Sequence, residues 1–237
     1  MMIVYANLSS EIKSGKFSNH YYLDRCSQID VQCQSLCDSA HESWSYTTRF
    51  LDQKMERCYT SYLNIYPRRQ VTQAWNVLRL VRILVNHFIR ENGQDHHERR
   101  PAACSPRVAR EKIEALAFDI CASVPQYVDC LEMARIIGQK EDFKDPPILN
   151  KDLAQAVHAH NPDQILACYN LIFPLAVAGQ SQACPKGLKF WIINELHYMA
   201  VHFSIRNAAV VAQILERGVP VYPWDIYSML GSYAFMG

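Results

Sequence analysis

The chain has 237 residues, 49% hydrophobic and 20% charged, with 24 Lys and Arg against 23 Asp and Glu. That composition is globular, sufficient for a sizeable buried core, and excludes intrinsic disorder. A net charge of +1 supplies no global field for DNA, RNA or an acidic membrane, so any such contact needs a local patch.

In chain order, residues 1–20 read as an irregular leader. The opening "MMIVYANLSSEIK" lacks the charged start and apolar core of a signal peptide. The nine Cys are therefore expected as free thiols. Helical spacing begins at Tyr21 and runs to Ser43, with Leu23, Cys26, Ile29 and Cys33 on one side. A second helical pattern, Trp44 to Tyr66, carries Phe50, Leu51, Met55, Cys58, Tyr59 and Tyr62. Pro67 stops it.

Residues 73–91 form the central predicted helix. At about 100° per residue, Asn76, Arg79, Arg82, Asn86 and Arg90 fall within an arc of about 120°. The rest of its circumference is apolar, which places it inside a helical array. A polar loop follows, "NGQDHHERRPAACSP" at 92–106, the best candidate for a mobile, cleavable segment. Ser105 and Pro106 then open a capped helix that ends before Pro125. A short helix at 130–137, a polar loop at 138–149 and a helix at 150–158 are expected next. Asn161 and Pro162 start another helix, running through Pro174, which should kink it. The last long pattern, Leu188 to Arg217, should break near Ser204 to Asn207. Gly93, Gly138, Gly179 and Gly218 each follow an apolar helical pattern, as helix C-caps do. No β-alternation of useful length is found. The longest apolar run, "LIFPLAVAG" at 171–179, is far below the ~20 residues of a membrane span. The expected fold is all-α: a single helical array of about eight to ten helices over 21–237.

Chemistry-bearing motifs are few. No Cys-x-x-Cys pair exists, and Cys26, Cys33 and Cys37 fit one helix face as small apolar residues. His96 and His97 lie in the polar loop, His158 and His160 flank a helix end, and His197 and His202 are five apart, so none has the spacing of a helical zinc site. Nucleophile elbow, Walker loop, dinucleotide fingerprint and kinase motifs are all missing. Cys121 and Cys168 sit in apolar helical context, where an inert buried thiol is the default. Glu111, Glu114, Glu141 and Asp142 read as solvated acids. The doublets Arg68–Arg69 and Arg99–Arg100 lack the basic and aromatic spread that tracks a nucleic-acid strand. The residues point to no catalytic group, no cofactor and no metal.

The block "AWNVLRLVRILVNHFI" resembles the Trp–Asn–x–x–Arg–x–x–Arg–Ile–Leu pattern in the regulatory region of fungal zinc binuclear-cluster transcription factors. Three further blocks follow in the family's order: "FDICASVPQYV" at 118–128, "CYNLIFPLAVAG" at 168–179, and "LKFWIINELHYMA" at 188–200 with "SIRNAAVVAQILE" after it. The motif residues are Trp75, Asn76, Arg79, Arg82, Cys121, Pro125, Pro174 and Trp191. Ser204 stands where the family has Gly, and the family's six-Cys zinc cluster is not among these residues. The resemblance implies a helical regulatory domain in which Trp75 is a core anchor. Arg79 and Arg82 would meet carboxylates or helix C-termini on neighbouring helices; a solvated face and an anionic ligand are the alternatives.

For function, the resemblance implies transcription regulation in a fungal secondary-metabolite gene cluster, with a nuclear or alternatively cytoplasmic location. Partners would be other transcription-regulatory proteins or a second copy of the chain. Specific DNA binding by this chain alone is not expected, nor is membrane binding. The rival is an accessory or biosynthetic protein, an enzyme included, that reuses the scaffold, since fold does not fix function. A third reading is a truncated gene product. Six closely spaced Cys encoded upstream of Met1 would mark it.

Overall fold

The computed structural model describes residues 1–93, 105–129 and 162–231. The helices expected at 130–137 and 150–158 and the loop at 138–149 lie outside the described residues, as does nearly all of the 92–106 loop. His96, His97, Arg99, Arg100, Gly138, Glu141, Asp142, His158, His160 and Asn161 lie outside them too.

Among the described residues the fold is all-α apart from one small hairpin. Among the described residues are eight helices of eight residues or more: α1 Met2–Ser14, α2 Asn19–Asp38, α3 Arg69–Asn92, α4 Pro106–Ala122, α6 Pro162–Gln180, α7 Lys186–His202, α8 Arg206–Arg217 and α9 Pro223–Leu230. The single-turn helix α5, Pro125–Val128, follows α4. Residues 1–20 are therefore not an irregular leader. Met1, Tyr5, Leu8 and Ile12 recur at helical spacing and pack on the core, but the stripe is diluted by Tyr and Ser and is weak as a pattern.

The larger correction is Trp44–Tyr66, which is not a helix. A 3₁₀ turn, Glu42–Trp44, leads into β1 Thr47–Phe50, which pairs antiparallel with β2 Tyr62–Ile65. Thr47 lies opposite Ile65 and Phe50 opposite Tyr62. Both strands are short and rich in β-branched and aromatic residues, which fit a pleated surface better than a helix. Met55 and Cys58, whose spacing imitates a helix, pack in the hairpin loop against Leu63.

α3 is the hub. Its apolar residues Leu80, Val81, Ile83, Val85 and Ile89 are all but inaccessible, and α2, α4 and α6 pack around it. α4 begins as expected with Ser105 at the N-cap and Pro106 in its first turn. Gly218 ends α8 in the left-handed region at φ 65°, as a C-cap should. Gly179 does not cap. It lies inside α6, and a Cβ there would sit 2.9 Å from Leu215 Cδ1, so its role is to let α8 approach. α6 runs unbroken through Pro174. Chain direction changes between α7 and α8 at Ser204, whose φ is 57°. No helix among the described residues is long and apolar enough to cross a membrane.

Candidate functional site

Three arginines on one face of α3 are held by the protein's own side chains. The helical period turns Asn76 and Arg79 towards the hairpin and α4. Arg79 donates to the Tyr66 hydroxyl and to Asn76 Oδ1 at 3.0 Å, and its Nε lies 3.9 Å from Asp119 Oδ2. The guanidinium carbon sits 5.2 Å from the Tyr46 ring centre, 5.7 Å from Tyr66 and 5.6 Å from Trp75. Aromatic faces are attractive to a cation at such distances. Asn76 passes the network on, donating to Ser123 Oγ at 3.0 Å. Asp119 accepts from the Tyr62 hydroxyl at 3.0 Å. Burial raises the Tyr66 and Tyr62 phenols above their ordinary pKa, so both stay neutral, Tyr66 accepting from Arg79 and Tyr62 donating to Asp119.

One turn further along α3, Arg82 and Asn86 face α2. Arg82 Nε donates to Asp30 Oδ1 at 2.8 Å, and Asn86 Nδ2 reaches the same oxygen at 3.0 Å. Lys112 of α4 donates to Asp30 Oδ2 at 2.6 Å. Burial alone would raise the Asp30 carboxyl, but the hydrogen bonds from Arg82 and Lys112 outweigh it and hold the pKa below the ordinary value. Arg90 donates to Gln182 at 3.1 Å and lies 3.4 Å from Glu91. Internal pairing of Arg79 and Arg82 is thus as expected.

Of the remaining motif residues, Trp75 needs correction as a core anchor. It is half-buried, and its indole N–H donates to the Trp44 carbonyl at 2.7 Å while its ring meets Tyr46 edge-on at 4.8 Å. Its ring lies 5.6 Å from the Arg79 guanidinium carbon, between that group and the 3₁₀ turn it bonds. Cys121 is fully buried, and burial pushes its thiol well above the ordinary range. Pro125 and Pro174 are buried in α5 and α6. Trp191 is half-buried near Tyr59, with ring centres 6.0 Å apart. The fold joins Trp75, Asn76 and Arg79 in one network, sets Arg82 in a second around Asp30, and leaves Cys121, Pro125, Pro174 and Trp191 in separate packing roles.

A pair not anticipated from sequence is Arg57 with Glu195. Arg57 Nη1 lies 3.3 Å from Glu195 Oε1, and the guanidinium stacks 3.2 Å over the Tyr198 ring centre. Burial pushes the Glu195 carboxyl up to about 7 despite Arg57. Its only sequence signal is an acid inside the apolar helix "FWIINELHYM".

A cavity of about 810 Å³ lies along the later turns of α3, from Ile83 to Glu91. Ile83, Leu84, Phe88, Val177 and Leu215 form its apolar walls. Tyr5, Lys13, His87, Glu91, Gln180 and Lys189 supply polar groups. Ser9 Oγ and the Tyr222 hydroxyl, 2.7 Å apart, tie α1 to the segment before α9 across its margin. Cys184 also lines it, with a thiol pushed up to about 12 by burial. The arrangement suits binding better than covalent chemistry, because a thiol so raised is not a thiolate at neutral pH. Among the described residues, no three His, Cys, Asp or Glu converge as metal ligands. Compared with protein-family models, with curated proteins and with solved structures, the chain matches none.

Proposed function

We propose that this chain is a regulatory protein of the transcription-factor type, related to the regulatory region of fungal zinc-cluster factors. It acts in the nucleus on a secondary-metabolite gene cluster, through contacts with other regulatory chains and not through DNA. The observation that carries this reading is the fate of the α3 arginines. A specific DNA binder needs clustered cations free to neutralise phosphates before any base is read. Arg79, Arg82 and Arg90 are instead tied to Asp119, Asp30, Gln182 and Glu91. Support for protein contact comes from α7, where Phe190 and Val201 are 67% and 83% exposed on one helical stripe, a placement that favours docking another chain.

The test has two arms. In a mobility-shift titration at about 0.15 M salt, the purified chain should give no sequence-dependent binding to the promoters flanking its own gene. Fused to an unrelated DNA-binding domain, it should change transcription of a reporter, and Phe190→Asp with Val201→Asp should abolish that change. Sub-micromolar specific DNA binding, or a silent fusion, would overturn the reading. The cavity favours a second reading, an accessory or biosynthetic protein on the same scaffold. A silent fusion would leave that one standing.

A further inference from the structure

The cavity beside α3 has a composition that selects its ligand. Its volume of about 810 Å³ lies within the range of small-molecule sites, about 300–1,000 Å³. Its walls, Ile83, Leu84, Phe88, Val177 and Leu215, are aliphatic or aromatic. An apolar ligand body is favoured there by burial alone.

The polar groups at the cavity are biased towards donors. The Gln180 side-chain N–H₂ group is buried and has no hydrogen-bond acceptor among the described residues. A buried donor without an acceptor is costly and calls for one. Lys189, on the next helix, lines the same cavity and makes no ion pair among the described residues. Lys13 stands over the Tyr222 ring, its Nζ 3.5 Å from the ring centre. Among the described lining residues the one carboxylate, Glu91, is already met by Arg90 and His87, each at 3.4 Å. The charge left over is therefore positive, at a cavity that Gln180 with its unfilled N–H donor also lines.

We propose that this cavity binds a small amphipathic carboxylate, with its apolar or aromatic body against α3, α6 and α8 and its anionic end at Gln180 and Lys189. An amide donor and an ammonium group together make charge-assisted bonds that only an anionic acceptor uses in full. A cationic ligand would meet Lys13 and Lys189 and leave the Gln180 donor unpaired. The proposal stands on the cavity alone and holds whether or not the chain regulates transcription.

The probes are naphthylacetate, its neutral amide naphthylacetamide, and the cation naphthylethylamine, titrated calorimetrically into the full chain at neutral pH. The carboxylate should bind at least about tenfold more tightly than the amide, and the amine most weakly. Lys189→Gln should weaken carboxylate binding by about tenfold and leave the amide unchanged. Lys189→Glu should reverse the order in favour of the amine. Lys189 is half-exposed, so these variants keep the fold, which circular dichroism checks. Leu84→Trp should remove binding of all three probes by filling the cavity. No binding of any probe at ~1 mM, an amine as tight as the carboxylate, or a Lys189→Gln variant with unchanged preference would each overturn the proposal.

Discussion

Arg79 is a cation taken almost wholly out of water, with 3% of its side chain exposed. Such a group is tolerable only because Tyr66, Asn76 and Asp119 accept its hydrogen bonds or charge and three rings surround it. Removing it strands those partners. Arg79→Ala is expected to cost about 3–5 kcal/mol, the usual price of breaking one side of a buried ionic network. Urea unfolding would show it as a lower midpoint at constant slope. A loss below about 1 kcal/mol would mean that the guanidinium is solvated after all. Glu195 is the opposite case, a buried acid whose folded pKa of about 7 lies above the ordinary 4.5. The folded state holds its proton more tightly than the unfolded chain does. Its stabilising contribution is therefore whole below about pH 4.5 and is lost as pH rises through about 7. Glu195→Gln should flatten the stability-against-pH curve across that window by up to about 3 kcal/mol. If the wild-type curve is already flat there, Arg57 holds the carboxylate ionised. Asp30, whose pKa is lowered, acts in the other direction: its contribution is lost as pH falls through the folded pKa, on the acid side of this window.

Among the elements, the joint between α7 and α8 rests on one backbone angle. Ser204 adopts φ 57°, a region that disfavours residues with a Cβ and that Gly enters freely. Ser204→Gly should stabilise the protein by about 0.5–1 kcal/mol, the gain from relieved strain less the added freedom of the unfolded chain. A thermal midpoint equal to or below the parent's would place the constraint elsewhere. This joint was legible in sequence because a helical pattern from Leu188 to Arg217 is too long for one ordinary helix. α3 was legible because its apolar period is strong and its polar residues share one arc. The 47–65 hairpin was not, because Met55, Cys58, Tyr59 and Tyr62 repeat at helical spacing by coincidence, and strand pairing is decided by residues far apart, such as Thr47 and Ile65. α1 leaves little pattern in the sequence, because only Leu8 and Ser9 of its thirteen residues are buried.

For the whole molecule, legibility ends where distant segments meet. Helix geometry puts Arg79 and Arg82 in one arc, and the family resemblance implies their internal pairing, but their partners Tyr66, Asp119 and Asp30 come from different elements. Arg57 and Glu195 are 138 residues apart, and the cavity draws its wall from α1, α3, α6, α7 and α8, so neither leaves a local signature. The near-neutral charge is legible at once, and the matching of the α3 arginines by Asp119, Asp30 and Glu91 is not. The central position of α3 also bears on how the protein is made. α2 lays Leu23, Cys26, Ile29 and Cys33 into the core chiefly against α3, whose residues come thirty or more positions later in the chain. During synthesis, at roughly 5–20 residues per second, that face leaves the ribosome before α3, its main cover, exists. α2 must wait several seconds, a greasy helix without its main dock, and in that interval it is open to the chaperones that meet emerging chains.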